Sequence, residues 1–417
     1  MSKKLYIFAL LSTLGLLGGC GGSSTSNSGS TPTPPTPAAP AATSALYTET
    51  NATTGNEVLA YSRASNGSLT SIGSYSTGGV GTGIPSQGLP FPVGGATGAV
   101  TLNPAGTFLY AVDAGTNDVA GFSVATDGTL TFIANYPTGG TSPGSITIDA
   151  TGTYLYVLNT GTLPGDALGV GDVGGITGFT IGTSGALTAI PGSTQPLSVA
   201  SYVDPSEVAF SPDGSYLMVT EKLSGTVPGT IDIYPVTAGV AGAPVSTPST
   251  GAIPFGFEFT PSGTPVVSNA VAPTDNLLGS ATSYTATAQG VLTVVSGTVA
   301  DNQSAPCWIA LNPAGTFAYT TNTISGSVSA YSVSSTGALA LVPPASGASS
   351  VATIGASSGP IDDIVTPDNA YLYVIQSNAG TSPGQILGFS IGSTGALTSI
   401  TTGVTGLPEG SLGLAVR

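Results

Sequence analysis

Histidine does not occur in this 417-residue sequence, and lysine and arginine together occur five times. Losing histidine removes the usual general base near neutral pH and the commonest metal ligand. The shortage of basic residues excludes nucleic acid as a partner, because phosphate binding needs clustered Lys and Arg. Charged residues make up 6% of the chain, yet twenty of them are acidic, so the formal net charge is −15. There is one tryptophan, Trp308, and there are two cysteines, Cys20 and Cys307. No helical periodicity extends beyond a turn, which leaves strands rich in Thr, Val, Tyr and Ile and an all-β chain.

The first twenty residues carry Lys3 and Lys4, an apolar run from Leu5 to Leu17, and then Gly18-Gly19-Cys20. A short basic segment before an apolar stretch too brief to anchor as a helix reads as an export signal. The small residues before Cys20 resemble the bacterial lipobox, which implies lipidation of Cys20 and attachment to the membrane through that lipid; an ordinary cleaved signal is the alternative. Gly21 in place of Asp favours the outer membrane, by resemblance to Gram-negative sorting. Residues 21–44, GGSSTSNSGSTPTPPTPAAPAATS, hold no charge and no large apolar side chain. Such a segment buries too little surface to offset its ordering entropy and reads as a tether. With Cys20 lipidated, Cys307 is alone and no intramolecular disulfide forms. Without a histidine to activate it, Cys307 reads as a small buried residue rather than a nucleophile.

From residue 45 to 417 one unit repeats. Its type copy is Ala305–Val342, four short strands whose first turn is Asn312-Pro313-Ala314-Gly315-Thr316. Proline presets φ for a type I turn there, and glycine takes the position that needs φ > 0. A glycine before an apolar fourth strand recurs at Gly67, Gly128, Gly185, Gly242, Gly290, Gly337 and Gly395, 47 to 61 residues apart. Second strands recur in step, as in Phe108-Leu-Tyr-Ala-Val-Asp113 and Tyr371-Leu-Tyr-Val-Ile-Gln376. Seven copies of about this length predict a seven-bladed β-propeller with four-stranded blades. The first copy lacks an inner strand and the stretch Leu412–Val416 is left unpaired, so the C-terminal strand is expected to complete the first blade. A solenoid, the alternative, needs capped ends rather than a shared blade.

These phrases, with Phe210-Ser-Pro-Asp-Gly-Ser-Tyr-Leu-Met-Val-Thr-Glu221 among them, resemble the YVTN-type and lactonase-type seven-bladed propellers, the group that includes bacterial 6-phosphogluconolactonase. The resemblance implies a site with an Arg-His pair just after a proline on a middle blade and a Glu ending the next strand. Here the corresponding stretch reads Pro205-Ser206-Glu207, with Glu221 matching. The later motif of that family reads Pro306-Cys307-Trp308 and Asn322-Thr323, without its arginine. The basic groups that would hold a phosphate or stabilise an oxyanion are therefore missing.

Aligned on the prolines that open the inner strands, the second residue after each is Ser145, Glu207, Gly256, Trp308, Asp362 and Gly410, with Ala99 in the blade that lacks the proline. These residues are expected to ring one mouth of the channel as a small polar pocket with one stacking surface. Ser145, Glu207, Trp308 and Asp362 are the ligand-binding candidates, and Glu221 and Glu207 the catalytic ones. Each has a plainer reading: channel residues in water for Glu207 and Asp362, inter-blade packing for Trp308, and Asp363 as the inward-facing acid instead. No metal site is assigned, although Ca²⁺ needs only oxygen ligands and the loops Asp113–Asp118 and Asp166–Asp172 offer some. The expected protein is a monomeric, exported lipoprotein of the cell envelope whose propeller mouth binds a small neutral or cationic ligand, a glycan or a protein. A divergent lactone hydrolase and an adhesive surface protein are the alternatives.

Overall fold

Blade 6 shows how this sequence makes its unit. Strands Pro306–Leu311, Phe317–Asn322, Ser327–Val333 and Leu339–Leu341 pair antiparallel in chain order. In the first turn Gly315 has φ of +63° and its amide donates to the Asn312 carbonyl at 2.7 Å. The Asn312 side chain closes the turn by accepting the amides of Thr316 and Phe317 at 2.7 and 2.9 Å. Asparagine, proline and glycine thus each supply a different backbone requirement of one tight turn.

The computed structural model describes residues 43–83, 98–161, 174–198, 203–222, 229–270, 278–344, 348–355, 359–376 and 384–417. Within them seven antiparallel sheets follow one another, and no helix occurs. In blades 3, 4, 6 and 7 the outermost strand is broken into two short pieces. Cys20, most of the tether and the loop Asp166–Asp172 lie outside the described residues.

The inner strands form a closed circle, each packed on the next: Leu412–Val416, Val100–Leu102, Pro143–Ile148, Pro205–Phe210, Pro254–Phe259, Pro306–Leu311 and Pro360–Val365, for blades 1 to 7. Blade 1 has the order Leu69–Ser76, Glu57–Arg63, Ala45–Glu49, Leu412–Val416, so the C-terminal strand closes it as expected. Tyr47 pairs with Ala415, and Ala45 and Arg417 exchange backbone hydrogen bonds at 3.2 and 3.0 Å. The Arg417 guanidinium then donates to the carbonyls of Thr43, Gly106, Ala125 and Thr126, tying blade 1 to blade 2. Closure of this kind removes the strand edges that an open ring would present.

Neighbouring blades are bolted by two of the repeat's own signatures. The second-strand tyrosine of one blade donates its hydroxyl to the carbonyl of the fourth-strand glycine of the next. Tyr47 reaches Gly128 at 3.0 Å, Tyr110 reaches Gly185 at 2.8 Å, and Tyr373 reaches Gly67 at 2.7 Å. Tyr156 makes the same bond at 2.8 Å, but to Gly239. The turn glycine of blade 4 is therefore Gly239, with φ of +80°, and not Gly242. Apolar clusters fill the remaining space between blades, with rings such as Tyr156 and Phe210 meeting edge-on at 5.6 Å.

Candidate functional site

An innermost strand is an edge: half of its amides point away from its own sheet and need acceptors elsewhere. In five blades the opening proline is followed by a register shift, after which the second residue again pairs across the sheet or stands beside the shift. The side chains at that residue, and two residues further on, then reach the edge of the next blade. Ser145 accepts the Val208 amide at 3.2 Å and Thr147 that of Phe210 at 3.1 Å. The Glu207 carboxylate accepts the Phe257 amide at 2.7 Å, and Glu258 that of Leu311 at 2.6 Å. Asp362 takes the amides of Asp363 and Leu414. Ser145, Glu207 and Asp362 are thus brought to the channel wall together, each held by a backbone donor and each buried.

Two expected ring members depart from the expected pocket. In blade 1 Gly410 precedes the inner strand, which Pro408 does not open, and Leu412 is the residue paired with Glu49. Trp308 is buried against Phe255, ring centroids 4.9 Å apart, within the central apolar cluster that also holds Ile253 and Cys307. Burial pushes the Cys307 thiol up to about 12, so it carries no thiolate at neutral pH. Lys222 lies over Phe255, 4.4 Å from the ring centre, and its ammonium is paired with Asp204 at 3.1 Å.

Glu221 ends the second strand of blade 4, fully buried. Its carboxylate accepts the Ser198 amide at 2.9 Å and the Ser198 hydroxyl, anchoring the segment that leads into the blade. Asp232 lies beside it on the third strand; burial and the Glu221 charge raise Asp232 to about 8, so Asp232 keeps its proton at neutral pH. A related cluster stands between blades 1 and 2. There Asn56 donates to both Glu49 and Asp113 at 3.0 Å, and Thr77 donates to Asp113 at 2.7 Å. Burial raises Asp113 to about 7 and Glu49 well above the carboxylate range. Asp113 is hydrogen-bonded to Asp118, and no three acidic side chains among the described residues are placed to share a metal ion.

Sequence reasoning missed Glu258, Asp204 and Asp232. Glu258 was within reach, since residues two apart on a strand share a face and it follows the ring position Gly256 by two. At the far ends of the inner strands of blades 2 to 5 a cavity of about 380 Å³ opens, lined by Thr147, Glu207, Ala209, Glu258 and by apolar side chains of the same strands. Outside this cavity, on the inner strand of blade 7, Asp363 is a further buried carboxyl. It is 4% exposed, neither of its oxygens has a hydrogen-bond partner, and burial together with Asp362, Glu258 and Glu207 raises it well above the usual range.

Comparison with known proteins agrees with this architecture. A family model described as "Lactonase, 7-bladed beta-propeller" matches residues 84–162. The fold is that of the lactonase propellers. A 6-phosphogluconolactonase candidate from Bacteroides fragilis superposes with a TM-score of 0.60 over 92% of this chain and 100% of its own, at 18% identity. A Lactobacillus plantarum protein gives 0.63 over 90% and 99%, also at 18% identity. The periplasmic gluconolactonase of Pseudomonas aeruginosa gives 0.61 over 89% and 98%, at 16% identity. No curated protein matches by sequence. At these identities the likeness to lactonase propellers is one of fold, and the residues of the site decide the chemistry.

Proposed function

We propose that the protein is a ligand-binding propeller of the cell envelope, held to the membrane by lipid on Cys20, and that it does not hydrolyse phosphorylated lactones. One observation carries this reading: every cation among the described residues is committed to structure. Arg63 pairs with Asp368 at 2.7 Å and lies over Tyr371. Arg417 is spent on four backbone carbonyls. Lys222 is buried with Asp204. Drawing Lys222 or Arg417 to a phosphate or a developing oxyanion would orphan a buried acid or open the ring. The test is incubation of the purified protein with 6-phosphogluconolactone. The expected rate is that of spontaneous hydrolysis, and enzymatic turnover overturns the reading.

A second reading has one observation in its favour. Asp232, beside Glu221, is raised to about 8 by burial and by the Glu221 charge, so it holds its proton at neutral pH as a general acid must. It predicts turnover of an uncharged gluconolactone that Glu221→Gln abolishes.

A further inference from the structure

Away from the channel, a hydroxyl and two carboxyls stand in a row where blade 3 hands over to blade 4. Ser198 is half-buried on the connecting segment, while Glu221 and Asp232 are buried on the second and third strands of blade 4. The Ser198 amide donates to one Glu221 oxygen at 2.9 Å, and the Ser198 hydroxyl donates to the other. Asp232 is hydrogen-bonded to Glu221 in turn, and is itself held by Ser246 and by the Tyr234 hydroxyl, the latter at 3.3 Å. Tyr234 also donates to the Pro196 carbonyl at 3.0 Å, which fixes the chain two residues before Ser198. Anchoring the segment needs only the amide, so the hydroxyl contact is additional to that role. A hydroxyl within reach of a base whose orientation is set by a third group is the arrangement that activates a serine.

A cavity of about 310 Å³ lies beside this row along the chain. Its wall includes Pro196 and Gln195, two and three residues before Ser198, with Asn159, Thr177 and Gly140, and its described lining carries no charge. A small uncharged acyl group suits such a wall. The cations that could meet an oxyanion are committed to structure elsewhere. The carbonyl must therefore be reactive beforehand, as in a strained lactone or an aryl ester.

We propose that Ser198 is a nucleophile activated by Glu221, and that it takes the acyl group of small uncharged esters and lactones. This goes beyond the binding reading and rests on the second reading above, in which the Glu221 pair is catalytic. Glu221 accepts the hydroxyl proton as Ser198 Oγ bonds to the carbonyl carbon. The pair then returns a proton to the departing alcohol oxygen as its bond to that carbon breaks, leaving an ester on Ser198. Water adds to this ester with the same carboxylate as base, and the acid leaves as Ser198 regains its proton.

The experiment treats the detergent-solubilised full chain with an alkyl fluorophosphonate, which forms an O–P bond to an activated serine with loss of fluoride, and locates the adduct by peptide mass spectrometry. A single adduct on Ser198 is expected, together with a burst of nitrophenol from 4-nitrophenyl acetate. Glu221→Gln keeps an acceptor for the Ser198 amide but removes the base, and should slow labelling about a hundredfold or more at an unchanged melting temperature. Ser198→Ala should abolish both signals, and Ser71→Ala on the surface neither. Labelling absent from Ser198, spread over several serines, or undiminished in Glu221→Gln would overturn the proposal. Turnover of uncharged gluconolactone that survives Ser198→Ala but not Glu221→Gln would also overturn it, while leaving the second reading in place.

Discussion

Acid should stabilise this protein, and the size of the effect can be worked out from its buried carboxyls. Asp113 is raised from 3.8 to about 7 and Asp232 from 3.8 to about 8, and both side chains are fully buried. Glu258, raised from 4.5 to about 7, acts in the same direction with less weight because it is partly open to the cavity. In each case the folded state holds its proton more tightly than the unfolded chain. The stabilisation is therefore complete below about pH 4 and is lost as the pH climbs through 7 to 8. At about 1.4 kcal/mol per pK unit, raising the pH from 5 to 8 withdraws about 2–4 kcal/mol for each of the two aspartates. At about 1–2 °C per kcal/mol for a domain of this size, the melting temperature should fall by roughly 5–10 °C over that interval. Carboxyls shifted the other way, Asp213 and Asp368, lie near the surface and titrate below this window. The assay is scanning calorimetry or intrinsic fluorescence melting at fixed ionic strength, in half-unit steps of pH. Asp232→Asn, which removes the carboxyl raised to about 8, should flatten the upper part of the curve. A melting temperature that stays level or rises between pH 5 and 8 refutes the burial argument.

Three further outcomes follow from the fold and the proposed anchorage. Deleting residues 410–417 removes the inner strand of blade 1 and the Arg417 ties, and should abolish cooperative unfolding; a truncated protein that melts like the full chain would contradict the closed ring. Tyr110→Phe leaves the Gly185 carbonyl without its inter-blade donor and should cost about 1–3 kcal/mol, read from denaturant midpoints. Cys20→Ser should move the protein from the membrane fraction to the soluble one, because acyl chains supply the membrane affinity and an acidic domain supplies none; wild-type protein recovered soluble would remove the anchor.

The fold was legible because its information is local. Each Asn-Pro-x-Gly turn and each glycine before a fourth strand declares itself within five residues, and seven declarations fix the blade count. Where the local signal degraded, placement slipped: Gly239, three residues before the expected glycine, makes the turn of blade 4, and Gly410 lies before the inner strand of blade 1, where Leu412 takes the pairing with Glu49. The site was less legible because its partners come from different blades. Nothing in the neighbourhood of Lys222 announces that its ammonium will be taken by Asp204 and Phe255, or that Glu221 will hold Ser198. Glu207 lies on the inner strand of blade 4, but its bond to the Phe257 amide depends on the register of the next inner strand, which no single blade specifies.

Blade 1 imposes a schedule on folding. The Thr48 hydroxyl donates to the Leu412 carbonyl across 364 residues of sequence. At a synthesis rate of about 5–20 residues per second, Ala45–Glu49 waits on the order of 20–70 s for its partner strand to exist. During that interval blades 2 to 7 can meander into shape from neighbouring strands alone, while the first three strands keep a bare edge. The window of greatest exposure to misassembly thus opens with the beginning of the domain and shuts only with its last strand. Agents that shield nascent chains would act on this protein chiefly at Ala45–Glu49.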